Sequence, residues 1–154
     1  MAYSTDNLIG VNSFLKFDFD AFTQDKLFVV EDVSRKQKYD SEKKEVIKGE
    51  YEGVELLVTI YSDKYVYFTN KDDEQVKGLN KKKRFVVRDT KGTLEDYESL
   101  VPDEDTLTLT PVKIIPNSDD DAIRYYLNGK SISLTVFGKV EAIKQPAPND
   151  KQDF

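Results

Sequence analysis

Cysteine, histidine and tryptophan are all absent from the 154 residues. Without cysteine there is no disulfide framework, no thiolate nucleophile and no sulfur ligand for a metal, and a reducing compartment is the default expectation. Without histidine the usual general base at neutral pH is missing, and Ser-His and Cys-His nucleophile pairs are excluded. Most hydrolase mechanisms fall with them, so the chain is not expected to be an enzyme. Long apolar runs are lacking too. Residues 1–10 carry neither a basic stretch nor an apolar core, so neither a signal peptide nor a membrane anchor is expected, and the expected location is the cytoplasm. Acids do cluster, at Asp72-Asp73-Glu74, Asp103-Glu104-Asp105 and Asp119-Asp120-Asp121. Consecutive loop carboxylates point in different directions and show no EF-hand spacing, so no metal site, metal-dependent nuclease or cofactor is expected.

The length suits one domain with tails. The formal net charge of -6 conceals a separation of signs along the chain. Between Lys77 and Lys91 seven basic residues face one acid, Asp89, whereas from Glu95 to Asp121 nine acids face Lys113 alone. A basic face beside acidic loops is the expected result, and local charge, not the net value, governs the choice of partner.

Alternation of period two dominates the apolar pattern, carried by β-branched and aromatic residues, which favours strands. Five runs stand out: Leu27 to Tyr39, Tyr51 to Tyr61, Phe85 to Arg88, Thr106 to Ile115, and Tyr125 to Ile143. In the second, Val54, Leu56, Val58 and Ile60 share one face, with Glu55, Leu57, Thr59 and Tyr61 on the other. In the third, Phe85 and Val87 point inward, leaving Arg84, Val86 and Arg88 outside. Pro111 cannot donate to a ladder, so an edge or bulge is expected there, and Asn128-Gly129 reads as a tight turn or bulge. Thr93 can cap a short helix through Leu100, ended by Pro102. Residues 18–23 are ambiguous between strand and turn.

Five strands with one short helix between the third and fourth is the element order of the OB-fold, a small Greek-key barrel that binds oligonucleotides across strands two and three. The stretches Lys38-Tyr39-Asp40 through Gly53 to Ile60, Lys83-Arg84-Phe85-Val86-Val87, and Ser131 to Val136 resemble small OB proteins encoded on Gram-positive conjugative plasmids and related mobile elements. That group includes single-stranded-DNA-binding accessory proteins. The resemblance covers residues 25–143 and implies an OB-like barrel there with a role in conjugation or replication, while residues 1–24 read as an N-terminal arm and residues 144–154 as a flexible, Pro-rich, acidic tail. The ending Asn149 to Phe154 also resembles, in part, the acidic tips closed by phenylalanine of bacterial single-stranded-DNA-binding proteins, which implies a protein partner for the tail; Lys151 interrupts the acids.

Sequence-tolerant binding of a single strand needs cations along the phosphates and exposed aromatic faces for the bases. The candidates are Tyr39, Tyr51, Tyr61, Tyr65, Tyr67 and Phe68, the cations Lys81, Lys82, Lys83, Arg84 and Arg88, and Tyr125 in the approach to the last strand. Tyr126 and Arg124 adjoin Tyr125 but follow Asp119 to Asp121, which repel phosphate. Arg35, Lys36, Lys38, Lys43, Lys44 and Lys48 supply a further basic arm. RNA is an alternative ligand, and Tyr3, Leu8, Ile9 and Val11 offer a surface for self-association. The competing expectation is an acidic, phage- or plasmid-encoded interaction protein that inhibits a host factor.

Overall fold

The computed structural model describes residues 4–68, 74–105, 108–129 and 131–143. Its largest element is an antiparallel hairpin of β1 (Lys26–Asp40) and β2 (Glu45–Asp63). The alternation in β2 becomes a two-faced strand: Val54, Leu56, Val58 and Ile60 are buried, while Glu55, Leu57 and Thr59 are half-buried and Tyr61 is exposed on the opposite face. β1 follows a less regular pattern, with Phe28 and Val30 inside. A bulge between Val30 and Asp32 shifts its phase, so Val33 packs on the core and Asp32 turns outward. One inserted residue thus keeps a carboxylate out of an apolar interior.

The hairpin outruns the barrel. Gly53, at φ +68°, marks its departure, and a Cβ there would stand 2.0 Å from the Asp89 carbonyl oxygen, so only glycine fits. At the tip the Asp40 carboxylate accepts the Glu42 and Lys43 amides and fixes the turn.

β5 (Arg84–Asp89) pairs with β2, and β6 (Pro111–Pro116) pairs with Phe28 and Val29 of β1. β8 (Ser131–Ala142) runs antiparallel to β6 and parallel to β5, which closes a ring in the order β1-β2-β5-β8-β6. β7 (Ile123–Asn128) pairs with the first half of β8 and β6 with the second half. The change of partner falls at Phe137, whose amide donates to the Ala122 carbonyl and whose carbonyl accepts the Asn117 amide. A small separate hairpin, β3 (Val66–Phe68) and β4 (Gln75–Lys77), extends from the end of β2.

Opposite ends of β5 meet two short helices. α1 (Phe19–Thr23) is capped by Asp18 and sets Phe22 against Phe19, Phe28 and Phe85, the last at the start of β5. α2 (Leu94–Tyr97), continued by a 3-10 turn to Leu100, sends the Tyr97 hydroxyl 2.6 Å to the buried Asp89 carboxylate, at the end of β5. Burial, then the Asp89 bond, pushes the Tyr97 hydroxyl above its usual range.

The structure refines several expectations. The fourth strand begins at Pro111, the one position in a strand where a missing donor costs least, and Thr108 to Thr110 precede it; Thr106 and Leu107 lie outside the described residues. The fifth run splits at Asn128 and Gly129 into β7 and β8. Residues 19–23 form a helix, and Phe17, Phe19 and Phe22 join the packed core, so that core extends N-terminal of residue 25. Residues 144–154, including the acidic tip, lie outside the described residues. Among the described residues no helix is long and apolar enough to cross a membrane.

Candidate nucleic-acid interface

The outward residues of β2 and β5 stand in register, and they mix charge with apolar surface. Thr59 pairs with Arg84, Leu57 with Val86 and Glu55 with Arg88. Leu57 and Val86 are half-buried and make an apolar strip, with the two arginines on either side of Val86. Tyr61 continues β2 past Thr59, and with Lys82, Arg84, Pro102 and Leu109 it lines a shallow hollow.

The Lys81 to Lys83 turn is held against β2. The Lys82 amide donates to the Ile60 carbonyl at 2.7 Å, and the Ile60 amide donates to the Lys83 carbonyl at 2.9 Å. Lys82 adopts φ +69°, a conformation that costs a residue with a Cβ and is sustained here by those bonds. All three lysines are exposed.

Each arginine of the face has a carboxylate partner. Arg88 Nε lies 3.1 Å from Glu55 Oε2, which also faces Lys36 Nζ at 3.9 Å, and Arg84 lies 3.5 Å from Glu31. Glu31 in turn accepts the Thr59 hydroxyl at 2.8 Å. These are solvent-accessible pairs, in which water and salt screen the attraction.

On the flank, Tyr51 is exposed where the hairpin leaves the barrel and Tyr39 is exposed next to its tip, and the Arg35 guanidinium sits 4.2 Å from the Tyr51 ring centre. A groove lined by Lys36, Tyr39, Tyr51, Glu55 and Arg88 joins that flank to the β2–β5 face.

Three predicted aromatics are engaged elsewhere. Tyr65 and Tyr67 turn toward Lys26, whose ammonium lies 5.0 Å from the Tyr65 ring centre, 5.2 Å from that of Tyr67 and 4.9 Å from that of Phe22. That cation faces Asp63 at 3.7 Å, with side chains only 1% and 0% exposed. Asp63 also accepts the Tyr67 hydroxyl and the amides of Tyr65 and Asn80. Burial works to raise the Asp63 carboxyl, but these bonds and Lys26 outweigh it and hold it below the usual range. Burial lowers the Lys26 ammonium against the pull of Asp63, and burial plus the Asp63 bond push the Tyr67 hydroxyl up to about 12. Tyr125, half-buried, packs on Phe17 and donates to the Leu15 carbonyl at 3.3 Å, which anchors the N-terminal segment. Phe68 is exposed on the separate β3–β4 hairpin.

The structure therefore brings together Tyr61, Lys82, Arg84 and Arg88, with Lys81 and Lys83 beside them and Tyr39 and Tyr51 on the flank. Sequence reasoning did not single out Phe137, a half-buried ring on β8 beside Arg88, nor the Lys26–Asp63 pair. The register of an antiparallel hairpin, Lys26 opposite Asp63, is the signal that finds the latter. Among the described residues no three acidic side chains converge as metal ligands. Comparison with known proteins gave no matching family model, no similar curated protein and no similar solved structure.

Proposed function

We propose that the protein binds single-stranded DNA, largely without regard to sequence, on an OB-type Greek-key barrel acting in the cytoplasm. The observation that carries this reading is the outer face of β2 and β5, where an apolar strip of Leu57 and Val86 lies between arginines and ends at exposed Tyr61 and Lys82. Bases stack on rings and guanidinium planes while cations follow the backbone, a combination every base satisfies equally. The closed ring of five strands and the helix between the third and fourth of them support the OB assignment. The sequence resemblance points to service in conjugation or plasmid replication. Exposed Leu8, Ile9 and Val11 are the surface offered for self-association, and Tyr3, the fourth residue expected there, lies outside the described residues.

A second reading, an acidic interaction protein directed at a host factor, draws support from the carboxylate partner that each arginine of the face carries. Fluorescence anisotropy with labelled poly-dT, at low and moderate salt and against a duplex of equal length, separates the two. Preferential binding to the single strand that weakens as salt rises is the expected result. Absence of binding even at low salt overturns the DNA reading in favour of the second.

A further inference from the structure

We infer that two copies of this chain join through the outer edge of β7, strand to strand and antiparallel, about a two-fold axis at Tyr125. The inference gives a geometry to the self-association read from Leu8, Ile9 and Val11 and rests on that reading, not on the DNA reading.

β7 is the end strand of its sheet: one edge pairs with β8, and among the described residues no strand pairs with the other. The Ala122 carbonyl accepts the Phe137 amide. By alternation the backbone groups of Arg124, Tyr126 and Asn128 serve β8, and those of Ile123, Tyr125 and Leu127 point to the open edge. Such an edge takes up another strand unless lysine, proline or a bulge blocks it. β7 reads Ile-Arg-Tyr-Tyr-Leu-Asn and has none of these. The open edge of β1 beyond Val30 differs, since Glu31, Asp32, Arg35, Lys36 and Lys38 guard it.

The side chains select a second copy as the occupant. With Tyr125 of each copy face to face on the axis, Ile123 falls opposite Leu127 and exchanges backbone hydrogen bonds with it. Arg124 falls opposite Tyr126 in the closer, non-hydrogen-bonded pairing. Arg124 already lies 4.5 Å from the Phe137 ring centre, so in the pair its guanidinium sits between two rings. Tyr126 is 78% exposed and Leu127 55%, and the joint covers both. A strand of another sequence satisfies the backbone but not both Arg124–Tyr126 contacts at once. Charge permits the approach. Asp121 stands four positions before the axis, which sets it roughly 25 Å from its counterpart, beyond the screening length of about 8 Å. The arm leaves the barrel beside this edge: Leu15 shares a hollow with Ile123 to Leu127, and the Tyr125 hydroxyl donates to its carbonyl at 3.3 Å. The apolar arms of the two copies therefore flank the joint.

Light scattering on the whole chain, at graded concentration, is expected to give twice 17.7 kDa. Tyr126→Lys sets a cation against Arg124 of the second copy, and Leu127→Pro removes an outward amide without touching a bond to β8. Each is expected to weaken the dimer roughly tenfold, with unchanged circular dichroism, and adding Arg124→Glu to Tyr126→Lys is expected to restore it. Because the chain has no cysteine, Arg124→Cys together with Tyr126→Cys reports the register. A disulfide-linked dimer released by reductant is expected from the double variant and from neither single one. A whole chain that is monomeric throughout overturns the inference together with the self-association reading, and leaves the DNA reading to its own titration. A dimer that survives both edge variants undiminished overturns the β7 joint alone and leaves self-association to the arm.

Discussion

The barrel carries the same chemical pair, a cation against a carboxylate, in two settings. Lys26 and Asp63 are sealed inside a cage of Phe22, Tyr65 and Tyr67, while Arg84–Glu31 and Arg88–Glu55 lie open on the outer face. Burial decides what each can do. The inner pair cannot exchange partners, because any lost contact leaves a charge without water, so it serves only to fix the root of the β3–β4 hairpin and the Lys81 to Lys83 turn, through the Asn80 amide. The outer pairs hold their arginines in place at little energetic value, and a ligand can take over those arginines.

The largest effect that tests this contrast comes from breaking the inner pair on one side. Asp63→Asn leaves the Lys26 ammonium buried opposite a neutral amide, and a loss of ~3–5 kcal/mol in urea unfolding is expected. Combining it with Lys26→Met removes the stranded charge and is expected to recover much of that loss. Full stability in Asp63→Asn alone breaks the comparison.

Next in size is Tyr97→Phe, which strips a buried Asp89 oxygen of its 2.6 Å donor. A cost of about 1–3 kcal/mol in the same measurement is expected.

On the proposed reading, the outer face is expected to respond in binding and not in folding. Tyr61→Ala and Arg88→Ala are each expected to weaken poly-dT binding roughly tenfold with thermal midpoints nearly unchanged. The smallest effect sharpens the comparison most. Glu55→Gln releases Arg88 and Lys36 from their shared acid, and binding about two- to fivefold tighter is expected, with a steeper salt dependence. Weaker binding instead shows that Glu55 positions Arg88 for the ligand.

Acid separates the two settings as well. Asp63 has a folded-state pKa below its unfolded value, so its contribution is present above the unfolded range and is lost as pH falls through the folded value, below about pH 4. Unfolding followed between pH 5 and pH 2, ~the carboxylate range, is expected to show a stability loss that Asp63→Asn flattens.

Much of the barrel is legible in the sequence because its chemistry is local. The alternation from Val54 to Ile60 assigns both faces of β2, and Phe85 and Val87 between arginines do so for β5. Thr93 and Pro102 bracket the helix in the same way. The site was readable in part, since Tyr61, Lys82, Arg84 and Arg88 follow from alternation once the strands are placed. The turning inward of Tyr65 and Tyr67 depends on Lys26, some forty residues earlier, which pattern alone does not connect to them. Phe137 escaped notice because it is an apolar ring on the outward side of β8, where alternation through the buried Leu134, Val136 and Gly138 leads one to expect polar residues. The β3–β4 hairpin is three residues per strand, too short for a period to register.

Ring closure by the parallel contact of β5 with β8 joins residues 86–88 to residues 135–137, nearly fifty positions apart. Contacts so distant in sequence form slowly, since the intervening loop must first be ordered. As the chain emerges from a ribosome, β1, β2 and β5 can assemble their basic surface well before β8 is synthesised. The closed ring exists only once β8 is in place, so synthesis itself imposes a delay between the appearance of that basic surface and the closing of the ring that carries it.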